Sequence, residues 1–169
     1  NQPMISHSGQ FIIVFNGEIY NHLSLRKEMD LVDVNQNWVS GSDTETLLRG
    51  FDLWGIEETI KKCTGMFAFA VWCKKSKTLT LGRDRLGEKP LYYGWQGSNA
   101  NKVFLFGSEL KAIQRHPSFQ KEINRDSLSS FLRYSYIPAP SSIFKNIFKI
   151  LPGHLLTISA DAENSSMIR

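Results

Sequence analysis

The chain has 169 residues and a mass of 19.3 kDa, the size of one domain, and 41% of its residues are apolar, which is enough for a hydrophobic core. Its net charge of +4 is small, and its lysines are mixed with acids instead of forming a basic stripe, which argues against nucleic-acid binding. No apolar run approaches the roughly 20 residues that span a bilayer, and the polar start is no secretory signal. The composition therefore predicts a soluble, cytoplasmic domain with neither a nucleic-acid nor a membrane partner.

The first predicted strand ends at a polar segment. Residues 11–15 are all apolar and predict a short buried strand, and the polar segment 16–22 follows directly. Gly17 permits a sharp turn there and leaves a backbone N–H exposed, which is how an anion or oxyanion is received. Beyond the turn, Asn21 predicts an N-cap for a helix that continues to Met29.

Further helices are predicted from caps and apolar spacing. Ser42 followed by Glu45, ahead of apolar residues at helical spacing, is a capping box at a helix start. A short helix over 56–62 follows it. Ser108 predicts the start of another helix, and Asp126 begins the last one.

The strands lie in a block between these helices. Residues 65–73 are apolar on both faces and predict a strand covered on both sides, and residues 78–81 return beside it as a hairpin in the centre of a sheet. Strand patterns recur over 91–95, 103–107 and 153–159. Helices and hairpin-connected strands in separate blocks predict an α+β fold with a largely antiparallel sheet.

Cysteine and histidine spacing predicts no metal site. Cys63 and Cys73 stand in or beside apolar segments, so we interpret them as buried reduced thiols, with a disulfide as the lesser alternative. Neither has a base beside it, which argues against a Cys–His nucleophile within this chain. All four histidines are predicted to be surface or hydrogen-bonded residues: His7, His22, His116 and His154.

The strongest candidate site is the predicted turn after the first strand. Asn16 and Gly17 supply an amide side chain and a glycine N–H, the two donors that an oxyanion hole needs. Glu18 and Asp43, at two predicted loop–helix junctions, are carboxylates that can bind a substrate ammonium group. The alternative is that Asn-Gly is only a turn and that Asp43 stabilises a helix dipole, and these residues alone favour that alternative.

Two other polar segments attract attention as possible anion sites. Residues 40–44, Ser-Gly-Ser-Asp-Thr, are similar to the phosphate-binding signature of ATP pyrophosphatases, but they lack its second glycine and the aspartate is one place early. We therefore predict no phosphate loop there. Residues 83–90 are a dense charged loop between two strands, either internally salt-bridged or a contact surface for a neighbouring domain, and we favour the contact surface.

Six blocks of sequence stand in a characteristic order: Phe15-Asn16-Gly17-Glu18-Ile19-Tyr20-Asn21-His22, Ser42-Asp43-Thr44-Glu45, Gly65-Met66-Phe67-Ala68-Phe69-Ala70, Arg83-Asp84-Arg85-Leu86-Gly87-Glu88-Lys89-Pro90-Leu91-Tyr92-Tyr93-Gly94, Gly107-Ser108-Glu109-Leu110-Lys111-Ala112 and Leu151-Pro152-Gly153-His154. In this order they resemble the glutaminase domain of glutamine-hydrolysing asparagine synthetases. The resemblance covers nearly the whole chain, and six blocks in register are highly specific.

The resemblance implies a class II glutamine amidotransferase domain with the N-terminal-nucleophile hydrolase fold, a four-layer αββα sandwich with antiparallel sheets. It implies that Asn16 and Gly17 form the oxyanion hole through side-chain amide and backbone N–H. It also implies that Glu18 and Asp43 hold the α-amino end of L-glutamine, and that this domain needs no metal or cofactor. In that family the nucleophile is an N-terminal cysteine whose own α-amino group is the base.

The chain departs from the family pattern at its start. Position 1 is asparagine, which cannot attack an amide carbonyl, so we expect the cysteine nucleophile and an arginine for the glutamine carboxylate to lie ahead of Asn1. The fold is then incomplete at the N-terminus. We expect residues 1–159 to be a partial glutaminase domain and residues 160–169 a frayed tail or a linker toward a synthetase domain that binds ATP and Mg.

The implied function is hydrolysis of glutamine to glutamate and ammonia for the ATP-dependent amidation of aspartate, with this chain inactive by itself because it lacks the nucleophile. The implied partners are L-glutamine and the covalently linked synthetase domain, and a homodimer is left open. One alternative is another class II amidotransferase, acting in amino-sugar, purine or surface-polysaccharide synthesis. The other is a non-catalytic binding module that retains the fold.

Overall fold

The computed structural model describes residues 2–32, 37–98, 102–159 and the strand 165–168, so Asn1 and most of the predicted linker lie outside the described residues. The helices are α1 (His22–Val32), α2 (Asp43–Trp54), α3 (Ile56–Lys62), α4 (Leu110–Ile113) and α5 (Arg125–Tyr134). The strands are β1 (Met4–Ile5), β2 (Phe11–Ile19), β3 (Gly65–Cys73), β4 (Thr78–Arg83), β5 (Tyr92–Gln96), β6 (Val103–Gly107), β7 (Phe148–Lys149), β8 (Leu155–Ser159) and β9 (Ser165–Ile168).

The strands form two antiparallel sheets. The larger has the order β1-β2-β3-β4-β8-β9 and the smaller the order β6-β5-β7. The predicted hairpin of β3 and β4 is confirmed near the centre of the larger sheet, where β3 pairs with β2 on one side and β4 on the other. The β2–β3 pairing is the longest, running in register from Phe11 opposite Cys73 to Ile19 opposite Gly65.

One face of the larger sheet packs on helices. Alternation along β2 and β3 puts aromatic residues such as Phe15 and Phe69 on this face. They form one buried cluster with Met29 of α1 and Phe51 of α2. Phe51 contacts Phe69 with ring centroids 5.9 Å apart. Burial of these side chains fixes α1 and α2 over β2 and β3.

The other face of the larger sheet packs on the smaller sheet. Small and branched residues of the larger sheet, including Ala70, Leu81 and Leu156, are buried in a second cluster, and Leu91 and Ile150 join it from the chain beside the smaller sheet. Ala70 lets the two sheets approach closely at this point because its side chain is short. The second core is therefore the layer between the sheets.

The remaining helices lie on the outer side of the smaller sheet. Helix α4 contacts β6, and Phe131 of α5 lines a cavity together with Tyr92 of β5 and Lys149 of β7. The layers are thus α1–α3, the six-stranded sheet, the three-stranded sheet and α4–α5. The predicted α+β fold with a four-layer αββα arrangement is confirmed. No helix within the described ranges has the length and apolar character needed to cross a membrane.

Four local predictions differ from the structure. Strand β2 does not end at Phe15 but continues to Ile19. The side chain of Asn21 bonds the turn between α3 and β3, donating to Lys62 O and accepting from Thr64 N, instead of capping α1. Helix α4 begins at Leu110, after Ser108. The segment predicted as a frayed tail or linker contains β9, which pairs with β8.

The charged loop 83–90 is held together by one buried carboxylate. Asp84 is 1% exposed, and its oxygens accept backbone N–H bonds from Phe67, Leu86, Glu88 and Lys89. Burial by itself raises the pKa of this carboxyl, and the N–H bonds outweigh that effect, so the pKa of Asp84 lies below its usual value. The loop is therefore built around a carboxylate that is charged in the folded state.

The arginines of this loop donate to main-chain carbonyl oxygens, so their guanidinium groups are not free to bind an anion. The guanidinium of Arg83 donates to the carbonyl oxygens of Gly87, Lys89 and Ile150. Arg85 donates to the carbonyls of Lys61 and Cys63 at the end of α3, which fixes the loop to the helical layer. The contact-surface interpretation of this loop stays a prediction.

We expect Asp84→Asn to lower the free energy of unfolding at pH 7 by on the order of 3 kcal/mol, because an amide cannot accept all these N–H bonds. The native pKa is below the unfolded value near 3.9, so the charge stabilises the fold above that value and the stabilisation is lost as pH falls through the native pKa. In urea unfolding, the difference in free energy of unfolding between the original protein and Asp84→Asn should shrink as the pH falls below about 3.9.

The exposed control Asp126→Asn should lower the free energy of unfolding by less than about 1 kcal/mol. A difference between the original protein and Asp84→Asn that does not change with pH would contradict this account.

The β2–β3 pairing includes an unusually close approach at Gly17. Its φ of +156° lies in the region that favours glycine, and a Cβ built there would meet Met66 O at 2.2 Å and Phe67 Cα at 2.6 Å. These are backbone atoms of the neighbouring strand, so they cannot move aside as a flexible side chain would. Gly17 is therefore required by the packing of the sheet.

Gly17→Ala should lower the free energy of unfolding by roughly 3 kcal/mol or more, because the strands must separate to admit the methyl group. Gly9→Ala is the matched control: its φ of +72° also disfavours alanine, but no atom lies within 4 Å of the new Cβ. The control should cost only about 1–2 kcal/mol. Equal losses in urea unfolding followed by tryptophan fluorescence would show that the close approach is not the cause.

Candidate functional site

On the edge of β2 that faces away from β3, no described residue bonds the N–H of Gly17. In an antiparallel strand, alternate residues direct their N–H and C=O groups to opposite edges. Phe15 directs both groups away from β3, because they bond the side-chain amide of Gln2, with Nε2 donating to Phe15 O and Oε1 accepting from Phe15 N, each at 2.7 Å. Gly17, two residues further, directs its N–H to the same edge.

The positions on either side of Gly17 along this edge are occupied. Phe15 is bonded to Gln2 as described, and the N–H of Ile19 donates to Oδ2 of Asp43 at 2.9 Å. The backbone of Phe67, opposite Gly17 on β3, is itself engaged by Asp84, since Asp84 N donates to Phe67 O. A ligand at this edge would therefore meet the N–H of Gly17 between two filled positions.

Asn16, the residue before Gly17 on β2, carries an amide side chain. Asn16 is exposed, and its side chain leaves β2 on the face that is covered by the smaller sheet. Its Nδ2 donates to Oγ of Ser108, which follows β6, at 3.1 Å. One N–H of the amide is used in this bond, so the second is available to a ligand. Asn16 and Gly17 thus present two donors at neighbouring points of one strand.

Two acidic residues stand at or beside the end of β2. Glu18 is exposed and directly precedes Ile19, whose N–H bonds Asp43. Oδ2 of Asp43 accepts this N–H, and Oδ1 accepts from the hydroxyl of Thr44 at 3.4 Å, so each oxygen keeps a further lone pair for a ligand. The structure therefore places Asn16, Gly17 and Glu18 in consecutive positions of β2, and the Asp43 carboxylate is bonded to the same strand at Ile19.

Asp43 is held in place by the start of α2. Oγ of Ser42 accepts from Glu45 N at 3.2 Å, so the predicted N-cap is confirmed. The other half of the predicted capping box is different: the Glu45 carboxylate accepts N–H bonds from Val39 and Ser40, in the loop before the helix. Asp43 consequently begins the helix at a fixed position beside β2.

Arg26 of α1 ties this loop to the first helix. Its guanidinium donates to the carbonyls of Ser40 and Ser42 and lies 4.0 Å from the centre of the Trp38 ring. It also forms an ion pair with Glu45 at 3.6 Å. Burial raises the pKa of Glu45, but the N–H bonds from residues 39 and 40 and the Arg26 charge outweigh this, so its pKa is lowered. The Ser40–Ser42 segment is thus a helix-capping loop.

Neither cysteine is placed to act at this edge. Both are free and buried, which confirms the prediction of reduced buried thiols. Burial raises the pKa of Cys63 to about 12, which suppresses the thiolate. Cys73 pairs with Phe11 at the other end of β2, five residues or about 17 Å from Asn16, and lies on the helix-facing side. The described residues contain no cluster of three or more potential metal ligands.

A cavity of about 240 Å³ lies beside Asn16. Its walls come from both sheets and from the N-terminal segment: Gln2, Val14, Ala68, Leu91, Phe106 and Ser108. Most of these side chains are apolar, so polar atoms are concentrated at the end formed by Gln2, Asn16 and Ser108. The Asn16 amide therefore lies among the few polar groups of an otherwise apolar space between the sheets.

Sequence reasoning missed several residues that shape the site. Gln2 and Ser108 lie far from β2 in the chain, and only the pairing of strands brings them to Phe15 and Asn16. A signal was present for Ser108, which stands in one of the six blocks of the family resemblance. His22 is half-buried, and its Nδ1 is buried with no hydrogen-bond partner among the described residues.

Sequence comparison identifies close relatives over most of the chain. The chain is 41% identical over 166 residues to asparagine synthetase [glutamine-hydrolyzing] 3 of Bacillus subtilis, covering 96% of this chain and 26% of that protein. It is 40% identical over 141 residues to putative asparagine synthetase [glutamine-hydrolyzing] 2 of Methanocaldococcus jannaschii, covering 82% of this chain and 25% of that protein. The chain thus spans about a quarter of the length of these relatives.

Structural comparison supports the same fold. The glutamine phosphoribosylpyrophosphate amidotransferase of B. subtilis superposes with a TM-score of 0.64 over 99% of this chain and 31% of that one, at 18% identity. At this identity the likeness establishes the fold alone, in agreement with the four-layer αββα arrangement described above. The family model of the glutamine amidotransferase domain matches residues 1–167, and the chain therefore belongs to the class II glutamine amidotransferase family.

Proposed function

We propose that this chain forms the substrate-holding side of a glutaminase site. The side-chain amide of Asn16 and the N–H of Gly17 receive the oxyanion, and Glu18 and Asp43 bind the α-ammonium group of glutamine. The observation that carries the proposal is the row Asn16–Gly17–Glu18 on β2, with the Asn16 amide bonded through one N–H and the Asp43 carboxylate bonded to the same strand at Ile19. Two donors and two negative charges match the two ends of glutamine, whose carbonyl becomes negative during attack and whose amino end is positive.

The attacking thiol comes from outside the described residues in this proposal. Cys63 and Cys73 are buried on the helix side of the larger sheet, away from Asn16, and this supports a separate nucleophile. An N-terminal cysteine of the complete protein would attack the carboxamide carbon of glutamine, and its α-amino group would take the thiol proton. Loss of ammonia gives a thioester, which water hydrolyses to glutamate.

The complete protein would use this ammonia for the ATP-dependent amidation of aspartate in the cytoplasm. The names of the sequence relatives, both glutamine-hydrolysing asparagine synthetases, support this choice over another class II amidotransferase. ATP and Mg would bind a second, covalently linked synthetase domain, and the chain described here would hold neither.

In the full-length protein, Asn16→Ala should lower kcat for glutamine hydrolysis by about 10²–10³ and change KM little, because its amide bonds the oxyanion more strongly than the ground-state carbonyl. Glutamate release at varied glutamine concentration measures both constants. Ser130→Ala, which removes an exposed hydroxyl bonded within α5, is the control that should leave them unchanged. A normal kcat for Asn16→Ala would exclude its role in the oxyanion hole.

Asp43→Asn should mainly raise KM for glutamine, by roughly tenfold, because it removes a charge that pairs with the substrate ammonium in ground and transition states alike. The amide oxygen of the new residue can still accept the N–H of Ile19, so β2 should keep its position. The same assay measures KM, and thermal unfolding checks that the fold is intact. An unaltered KM in a folded variant would refute the ammonium-binding role.

A further inference from the structure

The bond between Asn16 and Ser108 crosses from the larger sheet to the smaller one. Nδ2 of Asn16 on β2 donates to Oγ of Ser108 at 3.1 Å, across 92 residues of sequence. Among the described residues this is the one hydrogen bond of the Ser108 side chain, and the one hydrogen bond of the Asn16 side chain. The orientation of the Asn16 amide therefore depends on a single partner that comes from the other sheet.

Ser108 itself stands at a fixed point of the chain. Gly107 before it ends β6 and pairs with Tyr92 of β5. Glu109 after it is the N-cap of α4, with its carbonyl accepting from Ala112 N and Ile113 N. Both neighbours of Ser108 are thus held by regular structure, so its Cα has a fixed position and one rotatable bond separates its hydroxyl from the backbone. The exposed Asn16 side chain has no such restraint of its own, because two rotatable bonds separate its amide from the strand.

We infer that Ser108 is a positioning residue for glutamine hydrolysis, which orients the Asn16 amide so that its second N–H faces the oxyanion. This inference rests on the proposed function of Asn16. An amide held by one N–H is already close to its productive orientation, so less freedom is lost as the oxyanion forms. In this role the hydroxyl of Ser108 accepts from Asn16 and acts through that amide, so its effect should fall on kcat and leave KM almost unchanged.

The test compares Ser108→Ala, Ser108→Thr, Asn16→Ala and the double variant Asn16→Ala with Ser108→Ala in the full-length protein, by glutamate release from glutamine. One neutral hydrogen bond corresponds to about a three- to tenfold effect, so Ser108→Ala should lower kcat by that factor and keep KM within about twofold. Ser108→Thr should restore most of the rate because it retains the hydroxyl. The double variant should be no slower than Asn16→Ala alone, since the anchor acts only through that amide.

Each other result identifies which idea is wrong. If Asn16→Ala slows the reaction and Ser108→Ala does not, or if the two losses multiply in the double variant, Ser108 is not an anchor for Asn16 while the proposed function stands. A Ser108→Ala effect confined to KM would also overturn the inference. If Asn16→Ala leaves kcat unchanged, the oxyanion role fails and the positioning role fails with it. Thermal unfolding of each variant separates these effects from loss of the fold.

Discussion

The in-register pairing of β2 with β3 is the constraint on which the rest of the structure depends. This pairing buries aromatic side chains against α1 and α2 on one face, and it builds the layer between the sheets on the other. The same pairing requires glycine at position 17, because Phe67 and Met66 approach too closely for any side chain. Packing therefore requires a residue without a side chain at position 17. Such a residue leaves its backbone N–H accessible at the edge of β2 that faces away from β3.

Side chains and backbone N–H groups both alternate along β2 with a period of two residues, and both alternations shape the candidate site. Alternating side chains send Asn16 and Glu18 to one face, while Phe15 and Ile19 are buried on the other. Alternating backbone groups send the N–H groups of Phe15, Gly17 and Ile19 to the edge that faces away from β3. Side chains fill that edge on both sides of Gly17, an amide on one side and a carboxylate on the other. A regular strand can therefore present a polar site without a turn.

Local patterns in the sequence predicted the elements that depend on neighbouring residues. The β3–β4 hairpin, helix α3 and the cap at Ser42 follow from apolar runs and short-range hydrogen bonds, and they are where they were expected. The end of β2 was placed wrongly because Asn16 and Gly17 look like turn residues, and only β3 opposite them shows that the strand continues. The residues around Asn16 and Gly17 do not by themselves reveal that β3 pairs with them.

The polar networks could not be predicted for a related reason. Asp84 stands in a charged segment that was interpreted as a contact surface, yet its side chain is buried and accepts four backbone N–H bonds. Ser108 was expected to begin a helix, but its hydroxyl bonds a residue of the other sheet. The four site residues themselves were identified from the family resemblance, whereas their local pattern alone favoured a plain turn. Whether a polar residue is buried, caps a helix or belongs to a site depends on which residues lie near it in the folded chain.

The connection between β2 and β3 has a consequence for folding. Residues 20–64, which include α1, α2 and α3, separate these two strands, whereas the four residues 74–77 join β3 to β4. Closing a long loop costs more conformational entropy than closing a short one, and pairings distant in sequence form slowly. We expect the β3–β4 hairpin to form first and β2 to join it only after the helices are available to cover it. The edge that carries Asn16 and Gly17 is then among the last parts of the molecule to assemble.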